Sequence, residues 1–367
     1  MKTIILQENL HKAISVVGKF ISVRTQLPIL SHLLFETEEG RLKISSTNLE
    51  TSASYWVGAD NKKAGKICVP ARLIADLVSS LPQEKVELEA EQGQLHLLCA
   101  NSEATLAGAD PSDFPPLPEI KDKTTLQFKK EDINEVLPFV LVAASQDEAR
   151  PLLTGVKFLK KEKELYLVAT DGYRLSLKKN SQVKGLNQDF VISGKALGEV
   201  YRLFNEEKNE EMGASISNNN QVVFVFPQAQ IATRLIEGEY PDFEKIIPTG
   251  FTTRTIFAKE PLQKAVRLAS VYAREAANIV RFDIKNNQAT ISANSPQIGQ
   301  NQTQIEVKTE GEGGEIAFNA RFLLDLLGVF PAEEIAFEMS GPLAPGVFKH
   351  PTDDSYLHII MPVRVQG

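Results

Sequence analysis

Leu10, Ala13, Ile14, Val17 and Ile21 recur at the spacing of an amphipathic helix, which predicts a helix from Leu10 to Ile21 with these side chains inward. Leu262, Ala265, Val266, Ala269 and Ala273 repeat the pattern and predict a helix from Leu262 to Arg274. A third such stretch, Ile133 to Ser145, is interrupted by Pro138, which has no amide hydrogen to give and should kink it. Between these stretches the period shortens. Lys85 to Leu98 and Gln221 to Phe226 carry the alternating, β-branched residues of sheet.

The pattern is a repeat. An apolar strand runs into a helix at Ile67-Cys-Val-Pro-Ala-Arg72, at Phe190-Val-Ile-Ser-Gly-Lys195 and at Ile316-Ala-Phe-Asn-Ala-Arg321. Each time a turn or capping residue (Pro70, Ser193, Asn319) precedes the basic residue by two, and an acidic residue (Asp76, Glu199, Asp325) follows it by four. Upstream, a strand ends in a small polar turn at Thr47-Asn48, Thr170-Asp171 and Asn294-Ser295. Matching order in three registers predicts three copies of one unit, each an α+β unit with two helices packed on one face of its sheets. Proline and charge cluster at Pro115 to Lys123 and Lys245 to Thr252, which places the units at residues 1–121, 122–247 and 248–367.

Composition narrows the function. An apolar fraction of 43% and a charged fraction of 24% fit a globular chain, and no apolar run reaches the length of a membrane span. The N-terminus lacks the apolar block of a signal peptide. Cys68 and Cys99 sit in apolar strands and read as buried free thiols, which suits the cytoplasm. The five histidines show no metal-ligand spacing, so no metal or cofactor is expected. The Gly-Lys pairs at Gly18, Gly65 and Gly194 lack the rest of a phosphate-binding loop, and no nucleophile elbow occurs. A repeat scaffold without a nucleophile, metal cluster or cofactor loop is most economically a binder and not an enzyme.

A net charge of −7 argues against a nucleic-acid partner unless the basic residues are gathered on one surface. Helical periodicity gathers them. With the apolar positions inward, Lys12 and Lys19 share the outer face of the first helix, and Lys264, Arg267 and Arg274 that of the helix in the third unit. The second helices add Arg72, Lys195, Arg202 and Arg321. Side by side, such helices form a basic wall on an otherwise acidic molecule. A peptide-binding scaffold that never encircles DNA, and an enzyme whose site is assembled across units, remain open on these patterns alone.

Several segments together resemble one family. Thr170-Asp-Gly-Tyr-Arg-Leu175, Ile236-Glu-Gly-Glu-Tyr-Pro-Asp242, Ile360-Met-Pro-Val-Arg364, Arg24-Thr-Gln-Leu-Pro-Ile-Leu30 and Arg150-Pro-Leu-Leu-Thr-Gly155 are similar, in order, to segments of the bacterial sliding clamps, the β subunits of DNA polymerase III. The resemblance implies a head-to-tail homodimer whose six units close around double-stranded DNA, helices inward. It implies no catalysis, and partners that include the polymerase III α subunit, the clamp loader, other polymerases and repair proteins. These would enter as short peptides into a pocket formed by Leu153, Thr170, Gly172, Tyr173, Arg174, Leu175, Pro241, Lys245, Ile246, Ile359, Met361, Pro362, Val363 and Arg364. Arg24 and Gln146 would approach DNA beside the helix faces. The seams between chains would fall near Ala104 and Leu106 on one side and Val271 and Tyr272 on the other.

Overall fold

The structure is a computed structural model of the 367-residue chain and describes residues 1–22, 27–118, 126–161, 164–180, 188–206, 210–217 and 220–364. Its helices are α1 (Gln7–Val17), α2 (Ala71–Ser80), α3 (Lys130–Asn134), α4 (Leu137–Leu141), α5 (Gly194–Glu206), α6 (Lys259–Ala273) and α7 (Ala320–Val329). The apolar periodicity holds: Leu10, Ala13, Ile14 and Val17 are buried in α1, and Leu262, Ala265, Val266, Ala269 and Ala273 in α6. Helix ends differ from expectation, and α6, like α1, starts three residues before the predicted position and stops one short, at Ala273. Helix α1 starts three residues earlier and tightens at Gly18–Phe20 into a 3-10 turn, leaving Ile21 extended. Pro138 does more than kink its helix. Two short helices replace the single one expected, with the proline in the first turn of α4, where its missing N–H costs nothing.

The chain folds as two compact units, residues 1–130 with 199–235 and residues 131–198 with 236–367. The middle repeat is divided between them, and the reason lies in the sheets. In the first unit an eight-stranded antiparallel sheet runs continuously across two repeats, with Thr51–Gly58 paired to Ala229–Arg234. Thr51 and Thr233 meet there, their hydroxyls 3.0 Å apart. A five-stranded sheet ends on Ser102–Ala107, and Gln7 ties α1 to α2 by donating from Nε2 to the Val78 carbonyl at 2.7 Å.

In the second unit a nine-stranded sheet repeats the join, with Arg174–Asn180 paired to Tyr356–Ile360. A four-stranded sheet, ordered Gly299–Glu306, Gln288–Ser295, Ile279–Lys285, Gly314–Asn319, completes this unit. Its core is aromatic. Phe337 lies 4.9 to 6.2 Å, centroid to centroid, from Phe257, Phe282, Phe318 and Phe348, at the tilted and edge-on angles aromatic rings prefer. Asn319 caps α7 as expected, its Oδ1 accepting from the Arg321 N–H at 2.9 Å. Cys68 and Cys99 are buried free thiols, and burial pushes Cys68 up to about 12, which keeps it protonated and inert.

Candidate peptide pocket and DNA-facing helices

Residues Thr170 to Arg174 form a tight turn between the strands Glu164–Thr170 and Arg174–Asn180. Thr170 Oγ1 donates to the Arg174 carbonyl (2.7 Å) and accepts from the Gly172 N–H (3.1 Å). Asp171 Oδ1 accepts from the N–H groups of Tyr173 (2.9 Å) and Arg174 (3.0 Å). Gly172 has φ +91°, a conformation glycine adopts without penalty. The first repeat builds the same turn: Thr47 Oγ1 accepts from the Leu49 N–H, and Asn48 Oδ1 from those of Glu50 and Thr51. The copying thus reaches individual hydrogen bonds. What diverges is outward chemistry, Tyr173 and Arg174 standing where the first repeat has Glu50 and Thr51.

Arg174 is the organising side chain. Its Nε donates to Asp171 at 3.0 Å and its NH1 to Asp325 on α7 at 2.7 Å, while the guanidinium lies 4.5 Å from the centre of the Phe322 ring. Only 10% of the side chain is exposed. A planar guanidinium suits this double duty because it can bond in its plane and stack across it. The C-terminal segment is fixed alongside. Met361 donates its N–H to the Tyr173 carbonyl and Val363 donates to the Ala317 carbonyl, each at 2.8 Å, so the segment crosses from the nine-stranded to the four-stranded sheet.

Around this frame Leu175 and Ile359 sit opposite each other in register, both buried, and Phe243 from the connecting segment packs in the same apolar cluster. Leu153 and Thr170 are buried as well. Gly172, Tyr173, Pro241, Lys245, Ile246, Met361 and Arg364 are exposed, and Pro362 and Val363 half-buried. Tyr173 (60% exposed), Met361 (39%) and Ile246 (37%) are large apolar side chains left facing water. Lys245 is drawn to Asp242 at 2.8 Å. Here, then, are an apolar floor, adaptable walls and a few fixed polar groups, which suits an extended peptide.

Of the expected DNA contacts, Lys12, Lys19, Arg72, Gln146, Lys195, Lys264, Arg267, Arg274 and Arg321 are all exposed. Arg24 lies outside the described residues. Two cations are committed elsewhere in part. Lys264 pairs with Glu260 at 2.6 Å, and Arg202 is half-buried between Glu199 (2.9 Å) and Glu206 (2.6 Å), which leaves it little charge to offer a phosphate. At the expected seams, Ala104 and Leu106 lie on Ser102–Ala107, the edge strand of the five-stranded sheet. Val271 is exposed on α6 beside half-buried Tyr272, and Gly299–Glu306 forms an open edge of the four-stranded sheet. Six and eight residues long, with one charge apiece, these edges lack the usual protection against pairing.

Comparison with known proteins places this geometry. Residues 1–118, 127–242 and 244–364 match the N-terminal, central and C-terminal domains of the DNA polymerase III beta subunit. The chain is 30% identical over 359 residues to the beta sliding clamp of Staphylococcus aureus, covering 94% of each. It belongs to the family of bacterial β sliding clamps. A Synechocystis beta sliding clamp is 28% identical over the full length of both chains. Among solved structures, a DNA polymerase sliding clamp from Bacillus subtilis superimposes with a TM-score of 0.92 at 28% identity, each chain fully covered. A sliding clamp from Bartonella birtlesii bound to griselimycin gives 0.92 at 26%, also over the full length of both. The clamp family is not one of enzymes, and no helix among the described residues is long and apolar enough to cross a membrane.

Three residues that hold Arg174 and the candidate pocket in shape escaped the sequence reading: Asp171, Phe322 and Asp325. Asp171 had a local signal, standing three before Arg174 in the turn. Asp325 also had one, but its position four after the basic residue served only to set the register of the repeat. A polar cluster behind the turn was missed as well. Ser176 Oγ donates to the Phe139 carbonyl at 2.5 Å and lies 2.8 Å from Nδ1 of His358, with the Tyr356 hydroxyl 3.4 Å from each. Because the serine hydrogen goes to the carbonyl, the network assigns the imidazole hydrogen to Nδ1.

Proposed function

We propose that two copies of this chain close head to tail into a ring around double-stranded DNA and hold the replicative polymerase on its template. The carrying observation is the basic surface of the helices, Lys12 and Arg72 in the first unit and Lys264, Arg267 and Arg321 in the second, exposed on a chain of net charge −7. Such residues bind phosphates without reading bases, so the ring slides, and tethering raises the polymerase's effective concentration at the primer. Three repeats divided at 1–121, 122–247 and 248–367 give six per dimer. The edge carrying Ala104 and Leu106 joins the edge beside Val271 and Tyr272 of the second copy, because a head-to-tail contact made twice closes the assembly. The pocket from Leu153 to Arg364 takes short peptides from the polymerase III α subunit, the clamp loader, other polymerases and repair proteins. All of this takes place in the cytoplasm.

The test has two arms. Sedimentation at micromolar concentration should give a dimer, and clamp loaded on nicked circular DNA should stay bound until the circle is cut. A monomer that circles do not retain would end this reading. Reversing Lys264, Arg267 and Arg274 to glutamate should weaken DNA retention about tenfold at low salt while leaving unchanged the affinity for griselimycin, the compound bound to the Bartonella birtlesii clamp, which on this reading occupies the peptide pocket. Equal retention by the triple variant would remove α6 from the DNA surface.

A further inference from the structure

The nine-stranded sheet has one face that departs from the acidic exterior expected of the chain. Lys157 and Lys161 on Gly155–Lys161, Tyr166 on Glu164–Thr170 and Lys179 on Arg174–Asn180 alternate onto this face, as do Thr170 and Leu175 of the pocket. Pairing sets Tyr166 between Leu159 on one side and Lys179 on the other. The Lys161 and Lys179 ammonium groups lie 5.7 and 5.9 Å from the centre of the Tyr166 ring, and Lys157 lies 5.8 Å from that of Tyr240. Lys161 is paired with Glu244. Among the described residues Lys157 and Lys179 have no carboxylate within ion-pair distance. Leu159, Tyr166, Tyr240 and Leu357 are only partly buried against the cluster that holds Leu175 and Ile359.

We propose that this face docks an acidic, leucine-containing peptide segment, supplied by a protein whose binding motif occupies the neighbouring pocket. The face rests on its own residues and draws on the pocket reading only for the source of the segment. The charges favour a peptide over a nucleic acid. The Lys161 and Lys179 ammonium groups already lie within 6 Å of the Tyr166 ring centre, where a stacking base would have to displace them. Glu164 and Glu244 interrupt the lysines and oppose a continuous polyanion, while discrete carboxylates fit between them. Aliphatic Leu159 and Leu357 match leucine side chains. From Thr170 to Tyr166 is four residues of strand, about 13 Å at 3.3 Å per residue, which an extended peptide of four or five residues spans.

A fluorescein-labelled peptide, Asp-Glu-Leu-Asp-Glu-Leu-Asp, titrated against the full-length protein at low salt tests this by anisotropy. Binding is expected to weaken about tenfold when Lys157→Glu and Lys179→Glu are combined, in line with the reversal of two half-buried cations that would meet the peptide carboxylates. It should persist under saturating griselimycin. Unchanged griselimycin affinity in the double variant shows that the fold and pocket survive. Equal peptide binding by wild type and variant overturns the proposal, as does displacement of the peptide by griselimycin. Oligothymidylate binding that is lost on reversal while peptide binding is not would give the face to single-stranded DNA and overturn the assigned occupant. If griselimycin fails to bind the wild type, the pocket reading falls, and the peptide titration still decides the face.

Discussion

Replacing Arg174 by alanine should lower stability by about 3 kcal/mol, combining the loss of a mostly buried ion pair with the loss of a stacked guanidinium. The two carboxylates do not share that cost equally. Asp325 has 49% of its side chain exposed, so water and salt replace the cation readily there. Asp171 has only 14% exposed and loses its Nε contact with no solvent substitute, although it keeps the two backbone N–H bonds of the turn. Those bonds keep the loss below the upper range for a broken buried pair. Urea denaturation of wild type, Arg174→Ala, Arg174→Lys and Asp325→Asn separates the contributions. Lysine should recover one charge contact but not the in-plane fork or the stacking, and Asp325→Asn should cost under about 1 kcal/mol. Peptide binding at the proposed pocket should fall with Arg174→Ala, because the turn that Arg174 steadies carries the carbonyl that receives Met361 N–H. A variant within about 0.5 kcal/mol of wild type would show that the guanidinium decorates the turn and does not organise it.

How far the sequence reveals this arrangement depends on the distance over which each contact acts. Helices α1 and α6 were legible because their apolar faces are local and periodic, and α7 because the strand-to-helix segment leading into it repeats in three copies. The Thr170–Arg174 turn was legible because its hydrogen bonds close within five residues, which is also why the family resemblance could be pinned to it. The sheet joins were not. Thr51 pairs with Thr233, and Arg174 with Ile360, and no local pattern in either strand specifies a partner nearly two hundred residues away. For the same reason Asp325 could not be assigned to Arg174. Arg202 is a different failure. Its seven-residue spacing from Lys195 suggested a shared basic face, yet Glu199 and Glu206, three before and four after, also face that way on a helix. The neutralising pairs were readable from spacing. The basic face around Tyr166 was hidden because alternation marks which residues share a side of a strand, while the register that brings Lys161 and Lys179 to one ring is set by tertiary pairing.

Lowering the pH should destabilise the chain through His358, and Arg174 makes the effect larger. His358 is fully buried, and its pKa is held down at about 3, first by desolvation and then by the nearby Arg174 cation. The hydrogen-bond network leaves the hydrogen on Nδ1, toward Ser176, and Nε2 without a partner among the described residues. A proton arriving at Nε2 would therefore be both charged and unbonded. Unfolded, the imidazole titrates at its ordinary value of 6.5. Between 3 and 6.5 the unfolded chain binds the extra proton, so this contribution is complete above pH 6.5 and shrinks by about 1.4 kcal/mol for each pH unit below it. By pH 4.5 the loss is about 2.7 kcal/mol. His358→Gln replaces the imidazole by a polar amide that cannot titrate. The gap between wild type and variant should therefore change by that amount from pH 7.5 to 4.5, while carboxylates common to both cancel. A gap independent of pH would mean that His358 titrates normally in the folded chain. Removing Arg174 takes away one of the two forces on the imidazole and raises its folded pKa. In Arg174→Ala the acid-sensitive window should then close at a higher pH, and the two substitutions should fail to add. Such non-additivity would tie the guanidinium that steadies the candidate pocket to the buried histidine on the same face of the strand pair.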